Sequence, residues 1–321
     1  MSENSHDSGI KERVILKLER DLGTTFLTAL NNPNTVEIML NADGKVWHEL
    51  QGQRPQFLCN LRKGQGQAVI ESVAGFYDKE ITKDFPLLEC EFPLDGSRFA
   101  GQLPPVVPYP TFTIRKKPTT IFTLEQYVES GILSVKQKDF LIQAVKEHKN
   151  ILVIGGTGSG KTTLVNAIIH QMVNNDPLER IFIIEDTGEI QCSAENFVQY
   201  HTTLNVTMTM LLKTTLRMRP DRILVGEVRG EEALDLLDAW NTGHSGGVAT
   251  LHANSALEGL TRLKSLVTRN RFAPTDIERL IGQAVHVIVH ISRTPTGRKI
   301  QEVLEVFGYN ENSYITKQLD F

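Results

Sequence analysis

Residues 150–163 of this 321-residue chain read NILVIGGTGSGKTT, and they set the expected fold class. An apolar run of strand length leads into a glycine-rich loop of the pattern GxxxxGK[ST], and a segment with helical spacing follows. Such a loop folds around phosphate because its small residues let backbone N–H groups converge, while the helix N-terminus adds partial positive charge. The alternative is a glycine-rich turn that binds nothing, and it requires the strand, the Lys-Thr ending and the helix to coincide by chance.

The loop predicts a nucleotide site. Lys161 is expected to place its charge on the β- and γ-phosphates, which also makes it a candidate catalytic residue, and the Thr162 hydroxyl to coordinate Mg²⁺. Thr163 is expected to approach the α-phosphate. The implied cofactors are therefore ATP and Mg²⁺. The predicted nucleotide-binding residues of the loop are Gly155, Gly156, Thr157, Gly158, Ser159, Gly160, Lys161, Thr162 and Thr163.

The second half of the chain alternates apolar strand-length runs with segments of helical period. The runs RIFIIED, RILVGE and GGVATLHA join NILVIGG in this pattern. Alternation of this kind predicts an α/β domain with a parallel-strand core covered on both faces. The last segments, HVIVHIS, IQEVLEVFGYN and SYITKQLDF, are expected to be strands on the same sheet.

The first half has the pattern of a smaller α+β domain. Helical spacing covers residues 10–30 and 65–77, and runs with a period of two residues predict antiparallel strands. These runs are VEIMLN, KVWHEL, LLECEF, SRFAGQL and TFTIRKK. The predicted domains are residues 1–117 and 134–321, with a linker at 118–133 that begins at Pro118.

Acidic side chains follow two of the predicted parallel strands. Glu185 ends the first strand and Glu189 lies one turn further on, where either would face the γ-phosphate, orient water or hold the metal. Glu227 follows Gly226 at the end of RILVG and is expected to engage Mg²⁺ through water. The predicted metal ligands are thus Thr162, Glu185 and Glu227. A solvated acidic turn at 185–189 and a helix-capping role for Glu227 remain alternatives.

Two histidines flank the strand GGVATL. His252 lies beyond its end and is a candidate catalytic residue that donates to a γ-phosphate, while His244 precedes it and is a candidate nucleotide contact. The alternative for each is an ordinary packed or surface histidine.

Composition bounds the cellular setting. The chain carries 34 basic and 38 acidic residues for a formal charge of −4, so it has no global positive field for nucleic acid. Residues 1–13 show no secretory signal and no apolar run reaches membrane-spanning length, so a cytoplasmic location with peripheral membrane contact is expected. Three scattered cysteines argue against a disulfide framework or zinc site.

Four motifs in this order and spacing identify a family resemblance. GGTGSGKT, IIEDTGEI, RPDRILVGEVRG and TGHSGGVATLHANS resemble the Walker A, Asp box, Walker B and His box of the secretion traffic ATPases, and the resemblance covers nearly the whole chain. Glycine followed by glutamate in the Walker B segment is typical of that family. The chain is most similar to the compact type IV members, since it has no four-cysteine zinc segment.

The resemblance implies several properties. The second domain would be a RecA-like P-loop NTPase domain and the protein an ATPase that powers type IV secretion or conjugative transfer. It would form a homohexamer, peripherally associated with inner-membrane components of the channel, without specific nucleic-acid binding. In the first domain, Arg98 of DGSRF and Arg115 of FTIRKK would reach the nucleotide.

Two other functions stay open at this point. One is a ring that translocates DNA directly, for which only the locally basic residues 213–222 speak. The other is a nucleotide-gated scaffold whose hydrolysis is incidental.

Overall fold

The computed structural model describes residues 3–62, 64–117, 121–203 and 205–319. The chain forms two compact units, Met1–Thr119 and Thr120–Phe321. In the described ranges, no helix is both long enough and apolar enough to cross a membrane. Within the same ranges, Cys59, Cys90 and Cys192 are free thiols.

Unit 1 is an antiparallel sheet packed against two helices. The strand order is β3-β2-β1-β6-β5-β4, and the buried core includes the aromatic cluster Phe26, Phe99 and Phe112. The helices are α1 (Glu3–Asn31) and α2 (Gln65–Phe76), and the strands are β1 (Thr35–Leu40), β2 (Lys45–Leu50), β3 (Gln56–Asn60), β4 (Leu87–Glu91), β5 (Arg98–Gln102) and β6 (Thr111–Arg115). Both predicted helices and the five predicted strands are present. β3 was missed because its exposed and half-buried residues do not alternate.

Unit 2 is an α/β layer structure. Its strand order is β14-β13-β12-β7-β11-β10-β8-β9, in which the pairs from β12 to β9 are parallel and β13 and β14 are antiparallel. The strands are β7 (Ile151–Ile154), β8 (Ile181–Glu185), β9 (Phe197–His201), β10 (Arg222–Val225), β11 (Val248–Leu251), β12 (Val287–Thr294), β13 (Gly297–Asn310) and β14 (Ser313–Gln318). The predicted parallel core and the three C-terminal strands are confirmed.

Helices cover both faces of this sheet, so β7, β8, β10 and β11 are buried throughout. One apolar cluster lies under α3, α4 and α5, and the other lies under α6, α7, α8 and α9. The helices are α3 (Leu124–Glu129), α4 (Val135–Lys146), α5 (Lys161–Asn175), α6 (Met208–Thr215), α7 (Glu232–Asn241), α8 (Ala256–Val267) and α9 (Ile277–Ala284).

The linker predicted at 118–133 differs from the structure in one respect. Residues 118–120 lie outside the described residues. Residues 121–133 contain α3, whose N-terminus is capped by a capping box at Thr123. Leu124, Tyr127 and Leu133 are buried in the core of unit 2. This stretch therefore belongs to unit 2.

Asn150 fastens three parallel strands at their amino ends. Its fully buried amide oxygen accepts hydrogen bonds from the N–H groups of Gly246 (2.7 Å) and Gly247 (3.0 Å), ahead of β11. Its amide nitrogen donates to the carbonyl of Ala284 at 2.7 Å, ahead of β12. Ile154 is consequently in register with both Leu251 and His290. The loops that leave β7, β11 and β12 start from one edge of the sheet.

We expect Asn150→Ala to lower the free energy of unfolding by about 3 to 5 kcal/mol, because it leaves three buried backbone groups without partners. Urea denaturation measures the loss. The control is Asn241→Ala at an exposed helix end, which should change the stability by about 0.5 kcal/mol or less. Equal stability of the two variants would contradict this role for Asn150.

Candidate functional site

The loop of residues 155–160 follows β7 and precedes α5 at the carboxyl edge of the parallel strands. Gly155 and Gly160 have backbone φ angles of 155° and 99°, which residues other than glycine rarely adopt. A Cβ at Gly155 would lie 2.1 Å from the carbonyl oxygen of Ile291 in β12, and one at Gly160 would lie 2.9 Å from Cδ of Arg298. The loop is therefore pressed against the β12–β13 hairpin and needs glycine at both positions.

Lys161 begins α5 and turns its side chain into the loop. Its Nζ donates to the carbonyls of Gly155 (2.9 Å) and Gly156 (3.0 Å) and lies 3.5 Å from Nδ1 of His252. Burial lowers the pKa of Lys161, while the negative charge of Glu227 opposes this. The ammonium is thus held at the loop and partly removed from water.

Thr162 and Glu189 are brought together although they are distant in sequence. The Thr162 hydroxyl lies 3.5 Å from Oε2 of Glu189. The segment that follows β8 lies beside α5, where the N–H of Gln191 donates to Oδ1 of Asn166 at 3.1 Å. The predicted Mg²⁺ ligand therefore has a carboxylate beside it.

Glu185 lies beneath Glu189 and faces away from solvent. Its Oε1 accepts from the N–H groups of Glu189 (3.1 Å) and Ile190 (2.9 Å), and its Oε2 accepts from Gln199 at 2.7 Å. Burial raises the pKa of this carboxyl, and the three hydrogen bonds offset only part of the rise. Its contacts hold the backbone that carries Glu189 and do not include Thr162 or Lys161.

Glu227 is the centre of a chain of polar contacts. Oε1 lies 3.1 Å from Nε2 of His252, and Oε2 accepts from Nη2 of Arg229 at 2.6 Å. Arg229 continues to Oδ2 of Asp186 at 3.1 Å. Because Lys161 lies against the other ring nitrogen of His252, the contacts connect the loop of β7 with the ends of β11, β10 and β8.

The charges in this chain fix two protonation states. Burial would raise the pKa of Glu227, but the hydrogen bond from Arg229 and the charges of Arg229, of His252 when it is protonated, and of Lys161 lower it overall. Burial and the charge of Lys161 lower the pKa of His252. At neutral pH the carboxyl is thus ionised and the imidazole is neutral, and a neutral ring can donate from Nε2 and accept at Nδ1.

His244 lies away from Lys161, His252 and Glu227. It precedes β11, whereas the loop follows β7, and the two strands are parallel. Gly246 and Gly247, which come next in the chain, bind Asn150 at the amino edge of the sheet. The length of β11 therefore separates His244 from the loop after β7, and the predicted nucleotide contact of His244 is not supported within this chain. Its Nδ1 is buried and hydrogen-bonds to none of the described residues.

Arg98 and Arg115 belong to unit 1, where they stand directly opposite each other on β5 and β6. Arg115 pairs with Glu37 at 3.3 Å and Arg98 with Glu89 at 3.9 Å. Like charges opposite each other in a sheet are unfavourable unless an anion compensates them. Their predicted contact with nucleotide stays a prediction.

Two residues at the site were not predicted. Arg229 lies two residues after Glu227 in GEVRG, so an extended backbone places both on one side, and this spacing was the available signal. Gln199 had none, since only the parallel pairing of β8 with β9 brings it to Glu185.

The residues present fit Mg²⁺ and a phosphate chain. Thr162, Glu189 and Glu227 offer hard oxygen donors of the kind that Mg²⁺ prefers. No group of three His, Cys, Asp or Glu side chains forms a metal cage within the described ranges. A site of this kind depends on the phosphates and water for the remaining ligands, as Mg²⁺ sites of nucleotide enzymes commonly do.

Comparison with known proteins places the chain in a family. Residues 98–313 match the family of type II/IV secretion system proteins. The chain is 43% identical over 302 residues to the probable conjugal transfer protein TrbB of Sinorhizobium fredii, covering 94% of this chain and 92% of that protein. It is 44% identical over 305 residues to the conjugal transfer protein TrbB of Rhizobium radiobacter, covering 95% and 94%.

Solved structures agree. The VirB11 ATPase of the Brucella suis type IV secretion system, in complex with sulphate, is 29% identical, with a TM-score of 0.50 over 91% of this chain and 95% of that one. The pilus retraction motor PilT with bound ADP shares the fold, with a TM-score of 0.63 at 20% identity over 86% of this chain and 80% of that one.

The contacts of His252 predict how two substitutions change its pKa, because the charge of Lys161 lowers that pKa and the charge of Glu227 raises it. Lys161→Ala should move the titration midpoint upward, and Glu227→Gln should move it further downward. The measurement is the NMR titration of the ring Cε1–H, assigned with His252→Gln.

His286 serves as the internal control, since burial also lowers its pKa but it contacts Asn150 at the other edge of the sheet. Its midpoint should be the same in both variants. Shifts of His252 in one direction in both variants would refute the contacts described here.

Proposed function

Because the chain belongs to the family of type II/IV secretion system proteins, we propose that it is a Mg-ATP-hydrolysing motor of a type IV secretion system that serves conjugative transfer. The observation that carries this is the contact of Lys161 and His252 at 3.5 Å and of His252 and Glu227 at 3.1 Å. A phosphate loop is thereby joined to an ionised carboxylate. Binding alone requires the loop, whereas hydrolysis also requires a group that handles water.

Each residue has a proposed task in hydrolysis. Lys161 binds the β- and γ-phosphates, and Glu227, which is ionised, orients the attacking water by accepting its hydrogen bond. His252 donates to Glu227 and keeps it in place. Mg²⁺ held at Thr162 would neutralise the charge of the phosphates.

Glu185 is proposed as a positioning residue, in place of the metal ligand predicted from sequence. Its carboxylate accepts two backbone N–H groups and the Gln199 amide, so it fixes the turn that carries Glu189. Glu189, which lies beside Thr162, is the carboxylate proposed to support the metal.

The cellular setting is proposed from the relatives. They are named as conjugal transfer and type IV secretion proteins. A homohexamer bound peripherally to inner-membrane components on the cytoplasmic side is the assembly that this family resemblance implies. The output would be domain motion delivered to the channel.

The structure weakens the DNA-translocating alternative. The basic stretch 213–222 was its only support, and Arg222 is buried against Glu179 while Lys213 pairs with Asp235 at 3.3 Å. Two of its cations are therefore compensated within the protein.

Glu227→Gln should still bind Mg-ATP but hydrolyse it at least about 10²-fold more slowly, because the amide oxygen can accept a hydrogen bond but has no negative charge to polarise the water. Lys161→Ala should instead lose binding and hydrolysis together. Calorimetric titration and phosphate release measure the two quantities. A Glu227→Gln protein with unchanged turnover would remove Glu227 from the chemistry.

Arg115→Ala should lower hydrolysis by about tenfold or more at an unchanged melting temperature, if this arginine binds phosphate oxygens. Arg115→Lys should recover part of the loss, since it restores charge but not the planar fork. Arg20→Ala, an exposed arginine of the same unit, is the control. Full activity of Arg115→Ala would exclude Arg115 from nucleotide binding.

A further inference from the structure

Arg298 lies against the phosphate loop on the side away from the carboxylates. A Cβ at Gly160 would lie 2.9 Å from its Cδ and 3.1 Å from its Nε, so the side chain lies across the last residue of the loop. The side chain is otherwise exposed to solvent. The guanidinium therefore lies beside the loop and is open to a ligand.

The surroundings of Arg298 are positive. Gly160 is the N-cap of α5, a helix of 15 residues whose aligned peptide dipoles place partial positive charge at this end, and its N-cap provides no side-chain hydrogen bond. Arg293 stands directly opposite Arg298 across the hairpin. Arg298 has no ion pair with any carboxylate among residues 3–62, 64–117, 121–203 and 205–319.

A cation at this place is unfavourable for the protein alone. Like charges opposite each other on paired strands are destabilising, and so is a cation at a helix N-terminus. An anion bound at the loop removes both penalties. The arrangement therefore favours a phosphate ligand over a purely structural role.

The sheet order indicates which phosphate is near. The strands that carry His252, Glu227 and Glu185 lie on one side of β7 in the order β7-β11-β10-β8. The hairpin that carries Arg298 follows β12 on the other side of β7. Because the chemistry at the γ-phosphate belongs to the carboxylate side, the other end of the phosphate chain lies toward Arg298.

We propose that Arg298 binds the α-phosphate and sets the ground-state affinity for ATP and ADP alike, without taking part in hydrolysis. This inference rests on the proposed function, since it concerns the same site. Arginine suits the task because its planar fork can hold two phosphate oxygens and it stays charged at all working pH values.

The experiment measures the Kd for ADP and for ATPγS, and the kcat for ATP, in the full-length protein. Arg298→Ala should weaken both nucleotides by the same factor of about ten and leave kcat nearly unchanged. Arg298→Lys should recover part of the affinity. The matched control is Lys299→Ala, which removes the next cation of β13, on the opposite face of the hairpin.

Several outcomes would overturn the assignment. A loss confined to ATPγS, or a fall in kcat, would place Arg298 at the γ-phosphate, and unchanged Kd values would exclude any contact. Comparison of ADP with IDP separates a base contact, because a phosphate contact predicts equal losses and a base contact does not. If the unaltered protein bound neither ADP nor ATPγS, the proposed function itself would fail.

Discussion

The buried side chain of Asn150 is the contact on which the geometry of unit 2 depends. One amide joins the start of β7 to the starts of β11 and β12, through two N–H groups and one carbonyl. Leaving a buried polar group without a partner is costly, so this contact favours the observed register. That register brings the loop after β7, His252 after β11 and the hairpin after β12 to the same edge.

The charges of Lys161 and Glu227 at that edge are each held by neighbouring groups of the protein. Lys161 is held by two loop carbonyls, and Glu227 is held between Arg229 and neutral His252. Each buried charge has a partner, as burial requires. Because His252 contacts both Lys161 and Glu227, removing the charge of either residue changes the electrostatic environment of His252.

Much of this could be predicted from the sequence, and for local reasons. The loop, its strand and its helix are adjacent in the chain, so their pattern predicted that Lys161 and Thr162 lie where the loop meets the helix. Apolar period and strand length likewise predicted the parallel core. Tertiary placement was harder. His244 and His252 flank one strand of the predicted parallel core, which puts them at opposite edges of the sheet, and the prediction of a shared site overlooked this. Arg298 is distant in sequence from the loop it touches, so no spacing rule could find it.

The contact of Gly155 with the carbonyl of Ile291 has a consequence for synthesis of the protein. β7 pairs with β11 and β12, and both of these strands leave the ribosome long after the loop itself. Contacts between segments so far apart in sequence form slowly. A nascent chain would therefore carry the GGTGSGKT segment without the Ile291 carbonyl beside Gly155 until β12 has emerged.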